Sequence, residues 1–137
     1  MDNSSLTHLH EVRVYYEDTD AAGVVYYANY LKYVERARTE WMRAKGFELP
    51  EIEQIYGRIF VVRKVNAVYQ RPARLGDLLQ VRTRVIRVRR VGFELEQNVN
   101  RNDELLFEST VTLACIDTTT FSPAALPEPL MQTMIHS

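Results

Sequence analysis

From about residue 58 to residue 115 the apolar side chains recur at alternate positions in four successive runs, separated by short polar breaks. A period of two puts one set of side chains on one face of an extended chain, so each run can bury one face and wet the other. In residues 59–69, Val61, Val65, Ala67 and Tyr69 oppose Lys64 and Asn66; in 78–88, Leu79, Val81, Thr83 and Val85 oppose Gln80, Arg82 and Arg84. In 91–99, Val91, Phe93, Leu95 and Val99 oppose Glu94, Glu96 and Asn98; the last run sets Leu105, Phe107, Val111, Leu113 and Cys115 against Glu108, Thr110 and Thr112. "RPARLGD" breaks the series with Pro72 and Gly76, and "RND" at 101–103 is a turn signal between the last two runs. A fifth alternating run lies upstream at 11–17, with Val12, Val14 and Tyr16 against Glu11, Arg13 and Glu17.

Between these runs one long segment changes period. From Tyr30 to Lys45, Tyr30, Val34, Ala37, Trp41 and Ala44 recur at steps of three and four, which predicts a helix with one apolar stripe. Gly46 supplies its stop, and Asn29 is placed to cap its start. One long helix and about five strands with short connections predict an α+β fold, an antiparallel sheet with one face packed on the helix. A chain of 137 residues, 46% of them hydrophobic, suffices for one domain over 1–137, with its core at about 10–118. One helix leaves such a sheet under-covered, so free strand edges and apolar surface predict self-association. The tail 121–137, with Pro123, Pro127 and Pro129, reads as loosely ordered, as does the N-terminal segment.

A net charge of -1 from 17 basic and 18 acidic residues gives no overall reason to expect nucleic acid or an anionic membrane as partner. The single cysteine, Cys115, cannot form an internal disulfide and is expected to pack as a small hydrophobe. No apolar run approaches a signal sequence or a membrane span, so the expected address is cytoplasmic. His8 and His10 have the spacing of a metal pair but no third ligand in view, and neither metal nor cofactor is expected.

The chemistry concentrates in "YYEDTDAAGVVYYANYL", residues 15–31. Asp20 precedes a glycine-containing loop that runs into the helix start, where backbone N–H groups lack partners within the helix and carry the positive end of its dipole. On these residues alone, Asp20 is either a turn or capping residue or a reacting carboxylate. Glu17 and Asp18 read as solvated or structural. Tyr26, Tyr27, Tyr30 and Tyr33 serve either as an aromatic pocket or, for Tyr30 and Tyr33 at helical spacing, as packing. Arg84, Arg87, Arg89 and Arg90 in "RVIRVRRVG" fit phosphate groups or a plain solvated strand face. Asp77 in "LGD" reads as a turn residue.

The stretch "YYEDTDAAGVVYYANYLKYVERARTEWM" resembles the opening signature of the hotdog-fold acyl-CoA thioesterases of the 4-hydroxybenzoyl-CoA thioesterase type. It is most similar to the bacterial acyl-CoA thioesterases encoded beside the Tol-Pal envelope system. The likeness is ungapped through loop and helix and continues more weakly through "RLGDLLQV". It implies a sheet wrapped around the helix, sheets of two subunits joined edge to edge, an active site at that interface and assembly to dimers or tetramers. It implies acyl-CoA as substrate, with Asp20 as the catalytic carboxylate, nucleophile or general base, and the Tyr27 backbone N–H polarising the thioester carbonyl. Gly23, Asn29, Tyr30, Arg89 and Arg90 are the implied substrate-binding positions, Gly23 by close backbone approach and the arginines by meeting the nucleotide. Close relatives often carry histidine where this chain has Tyr27, so only the backbone role carries over. Two other readings follow from the residues: a hotdog hydratase or dehydratase, which needs a histidine–acid pair although His8, His10 and His136 lie at the chain ends, and a non-catalytic acyl-CoA sensor or assembly partner.

Overall fold

The computed structural model describes residues 7–135. In chain order the elements are β1 (His8–Arg13), α1 (Asn29–Ala44), α2 (Leu49–Tyr56), β2 (Arg58–Tyr69), β3 (Leu78–Arg89), β4 (Gly92–Arg101), β5 (Glu104–Asp117) and α3 (Glu128–Ile135). The five strands form one antiparallel sheet in the order β1-β3-β4-β5-β2, so β1 and β2 are its edges. The apolar stripe of α1 lies against it through Tyr30, Tyr33, Val34, Ala37, Trp41 and Met42. Ala37 is fully buried, and its small side chain lets the helix approach the strands. The core divides along α1: Val14, Val25, Tyr30 and Phe107 cluster near its start, and Trp41, Phe93, Leu113 and Leu130 near its end.

The strand expected at 11–17 is displaced. It begins at His8 and ends at Arg13, because Tyr16–Asp18 close a single 3-10 turn. Val14 is buried as the alternation requires, but Tyr16 is 81% exposed, so its aromatic ring imitated a core position. His8 and His10 are paired with Thr83 and Val81 in the β1–β3 ladder, which corrects the expectation of a loose N-terminal segment for this part of it. Burial pushes the His8 pKa down. His136 lies outside the described residues.

β2 departs from strict alternation through a register shift between Val62 and Lys64. A bulge re-aims the side chains beyond it, and Val62, Val65, Val68 and Tyr69 are all exposed along this edge strand. α2 was missed by periodicity because it is short. Its signals are local: Pro50 in the first turn and Gly57 in the left-handed conformation (φ 64°) just past the end.

The described part of the tail, 121–135, is not loose. The Leu126 N–H donates to Arg90 O (2.9 Å) and the Ala124 N–H to Cys115 O (2.9 Å), and α3 then buries Leu130 and Met134 against the far end of the core. Pro127 precedes α3 and Pro129 falls in its first turn, where a missing N–H costs nothing, so these prolines start a helix rather than prevent one. Leu130→Ala is therefore expected to cost about 2–5 kcal/mol of stability in urea unfolding, where a mobile tail would lose almost nothing.

Candidate active site

The loop between β1 and α1 is tied at both margins. The Val14 N–H donates to Asp77 O (2.9 Å), the Gly76 N–H returns to Val14 O (3.0 Å), and Val24 bridges Arg74. Asp77 is the turn residue expected, since its carboxylate accepts the Arg74 N–H (2.8 Å) and pairs with Arg101 (2.7 Å). Partial burial opposes its ionisation, but these donors outweigh that and hold its carboxyl below the usual range.

Within the loop the chain reverses over Asp20 to Gly23. The Asp20 N–H donates to Val24 O (2.9 Å) and the Gly23 N–H to Asp20 O (3.0 Å), with Thr19 bridging Val25. Gly23 has φ +79°, and a Cβ built there would meet nothing within 4 Å. The left-handed turn position favours glycine, and the space beside it is open. Asp20 has both characters weighed from sequence. Its Oδ1 accepts the Ala22 N–H (2.9 Å), an Asx turn that fixes the carboxylate plane. Its Oδ2 takes no hydrogen bond from the described residues, and the side chain is exposed.

The start of α1 is left open. The residue before it, Ala28, is already helical (φ -67°, ψ -21°), and no side chain caps the helix. Asn29 is thus not the cap; its side-chain amide donates to Asp18 O (2.8 Å) and ties the 3-10 turn to the helix. The Tyr26 N–H donates to the same Asp18 O (3.0 Å) and the Asn29 N–H to Tyr26 O (2.8 Å). Between them, the N–H groups of Tyr27 and Ala28 donate to no described residue, at the positive end of the helix dipole. The Tyr27 ring is 61% exposed, 4.7 Å from the Tyr26 ring and edge-on to Tyr69 at 6.2 Å.

One expected binding residue is corrected by its burial. Tyr30 is 3% exposed, stacked on Phe107 at 5.2 Å, with its hydroxyl accepting the Ala73 N–H (2.9 Å); it is a core residue. Tyr33 is fully buried too, and burial followed by the nearby Asp18 carboxylate holds its hydroxyl protonated far above the ordinary tyrosine range. Arg89 and Arg90 stand at the β3–β4 hairpin, while the Asp20 loop is anchored beside the start of β3. The 12-residue length of β3, roughly 35–40 Å, separates them within one chain, and Arg89 lies 3.9 Å from Glu94.

A cavity of about 470 Å³ opens between α1, α2 and the start of β2. Trp41, Met42, Ile52, Phe60 and Phe93 give it apolar walls, and Arg38 and Arg58 are its cations. Arg58 is committed to Asp117 (3.0 Å) and Ala125 O (3.0 Å). Arg38 donates to Gln97 Oε1 (2.9 Å), and the fully buried Gln97 donates in turn to Val34 O and Thr83 Oγ1 (both 2.9 Å). Sequence reading missed both Arg38 and Gln97. The signal was a glutamine on the apolar face of β4, directly across the ladder from Thr83 on the apolar face of β3. Cys115 is sealed at the end of β5, where burial pushes its thiol up to about 11. Its labelling by a disulfide reagent at neutral pH is expected to be about 100-fold or more slower in the native protein than in guanidinium; equal rates would mean that this end of the core opens.

One antiparallel sheet curled over a long helix, with an open turn feeding the helix start, is the hotdog architecture of thioesterases. Residues 14–134 match the family described as the thioesterase-like superfamily, and the chain belongs to it. It is 42% identical over 125 residues to the acyl-CoA thioesterase YbgC of Haemophilus influenzae, covering 91% of this chain and 92% of that one. The acyl-CoA thioesterase YbgC of Helicobacter pylori (strain 26695) is 41% identical, over 85% of this chain and 91% of its own. The crystal structure of Slr0204, a 1,4-dihydroxy-2-naphthoyl-CoA thioesterase from Synechocystis, superposes with a TM-score of 0.86 at 26% identity, covering 96% of each chain. Among the described residues no helix is long and apolar enough to cross a membrane, and no three His, Cys, Asp or Glu side chains could hold a metal ion.

Proposed function

We propose that this chain hydrolyses the thioester of acyl-CoA to free acid and CoA at the Asp20 loop. The observation that carries this reading is a carboxylate pinned through Oδ1, with Oδ2 and the N–H groups of Tyr27 and Ala28 further along the same loop all free of hydrogen bonds to the described residues. A thioester carbonyl acquires negative charge on oxygen when attacked, and amides already fixed at a helix start stabilise that charge without reorganising. As a general base, Oδ2 takes a proton from water while the water oxygen bonds to the carbonyl carbon. Collapse of the tetrahedral intermediate breaks the C–S bond, and the leaving thiolate recovers the proton from Asp20. As a nucleophile, Oδ2 itself bonds to the carbon and expels the thiolate, and water then opens the resulting anhydride.

The Asp20 loop and the cavity share no residue. An antiparallel pairing of two copies through the free edge of β2 brings these halves together. A two-fold axis across that strand sets its Tyr69 end, beside Tyr27, against the Arg58–Val62 end of a second copy, where the cavity opens. The exposed Val62, Val65 and Val68 give this edge apolar side chains to bury. The same operation returns Arg89 and Arg90 of a second copy to the end that carries the Asp20 loop, within reach of the CoA phosphates. We therefore infer a dimer as the working unit, with a dimer of dimers built from it.

The test is free-thiol release from short-chain, long-chain and aromatic acyl-CoAs, run beside sedimentation at the assay concentration. Turnover by a dimer is the expected result. Binding of acyl-CoA with no thiol release from any member would replace the thioesterase with a sensor.

A further inference from the structure

The guanidinium of Arg38 is placed in the cavity by neutral partners. Its bond to Gln97 is the only hydrogen bond it makes to a described residue, and Gln97 is held by Val34 and Thr83. No described carboxylate comes within ion-pair distance of Arg38; Glu35, exposed one helical turn earlier on α1, acts on it only at longer range. Burial weighs against its charge. Arg58, the other cation of the cavity, is already paired, and Glu53 lies exposed on α2. A guanidinium has five N–H donors in a fixed fork, and a carboxylate matches two of them at once. Glu35, Thr39 and Glu53 also line the cavity, but both carboxylates are exposed and the remaining walls are apolar, so a carboxylate seated on the Arg38 fork is the group whose arrival gains most.

We propose that Arg38 reads the distal end of the acyl group, and that the cavity takes short acyl chains ending in a carboxylate, as in the monothioesters of dicarboxylic acids. The proposal rests on the thioesterase reading and on the cavity of one copy serving the Asp20 loop of another. The apolar walls hold the methylene chain, Gln97 keeps the guanidinium from swinging out of the chamber, and the fork receives the terminal carboxylate.

The experiment compares adipoyl-CoA with hexanoyl-CoA, equal in chain length and differing at the far end, by thiol release with wild type, Arg38→Lys and Arg38→Gln. The readout is the ratio of the two kcat/KM values within each protein, which cancels any loss of folded enzyme. Wild type is expected to prefer adipoyl-CoA by roughly 10- to 100-fold, the range of a hydrogen-bonded charge pair. Arg38→Gln should collapse that ratio toward one, and Arg38→Lys should retain part of it. Turnover of both substrates by wild type without preference for adipoyl-CoA, or a preference unchanged in Arg38→Gln, overturns the proposal and leaves the thioesterase reading standing. Absence of thiol release from every acyl-CoA overturns both.

Discussion

Asp20→Asn is expected to lower thiol release by about 10³-fold while the protein stays folded and dimeric. The amide oxygen of asparagine can still accept the Ala22 N–H, so the Asx turn and the path of the loop into α1 survive. What disappears is the negative charge of the carboxylate whose Oδ2 takes no hydrogen bond from a described residue. Asp20→Ala removes the turn acceptor as well, and it should match the asparagine variant in activity while melting lower. The two variants therefore separate the carboxylate as reactant from the carboxylate as a fold element. Retention of a tenth or more of the wild-type rate by Asp20→Asn would assign Asp20 to the turn alone and send the search for the base elsewhere.

Phe107→Ala is expected to destabilise the fold by about 3–5 kcal/mol, with a fall in Tm of the order of 10–20 °C. Phe107 is fully buried, stacked on Tyr30 at 5.2 Å and edge-on to Tyr69 at 5.0 Å. Removing it opens a void that Tyr30 cannot enter, because its hydroxyl is fixed by the Ala73 N–H. A urea midpoint equivalent to a loss under about 1 kcal/mol would show that this end of the core relaxes to fill the space. The cost extends to the site, since Tyr69 is also the ring that Tyr27 leans on at the start of α1.

Strand runs of period two and one helical stripe were enough to read the sheet and its central helix, because both patterns report burial directly. β3, β4 and β5 fall within two residues of the alternating segments, and α1 within one of its stripe. The readings failed where a polar or conformational role was concealed by residue type. Tyr16 looks apolar and is solvated, and Asn29 looks like a cap and is a tether. Pro127 and Pro129 look like breaks and begin a helix. Tyr30 illustrates the limit at the site itself: helical spacing allowed both a core and a pocket role, and only the Ala73 N–H and the Phe107 ring decide between them. Arg38 was out of reach because nothing in the spacing of α1 reveals that its neighbour across the core is an amide on β4.

The strand order also governs when this chain can acquire its shape. Among the described residues of one chain, β1 pairs with β3, with His8 opposite Thr83, and β2 with β5, with Arg58 opposite Asp117. During synthesis, the first two strands and the apolar stripe of α1 must wait, unpaired, until more than half of the polypeptide has left the ribosome. Only the hairpins β3–β4 and β4–β5 can close locally, so they are the natural nucleus, and the early strands join by slow long-range closure. Until β3 and β5 have been made, α1 and two strands thus stand without the partners that cover them.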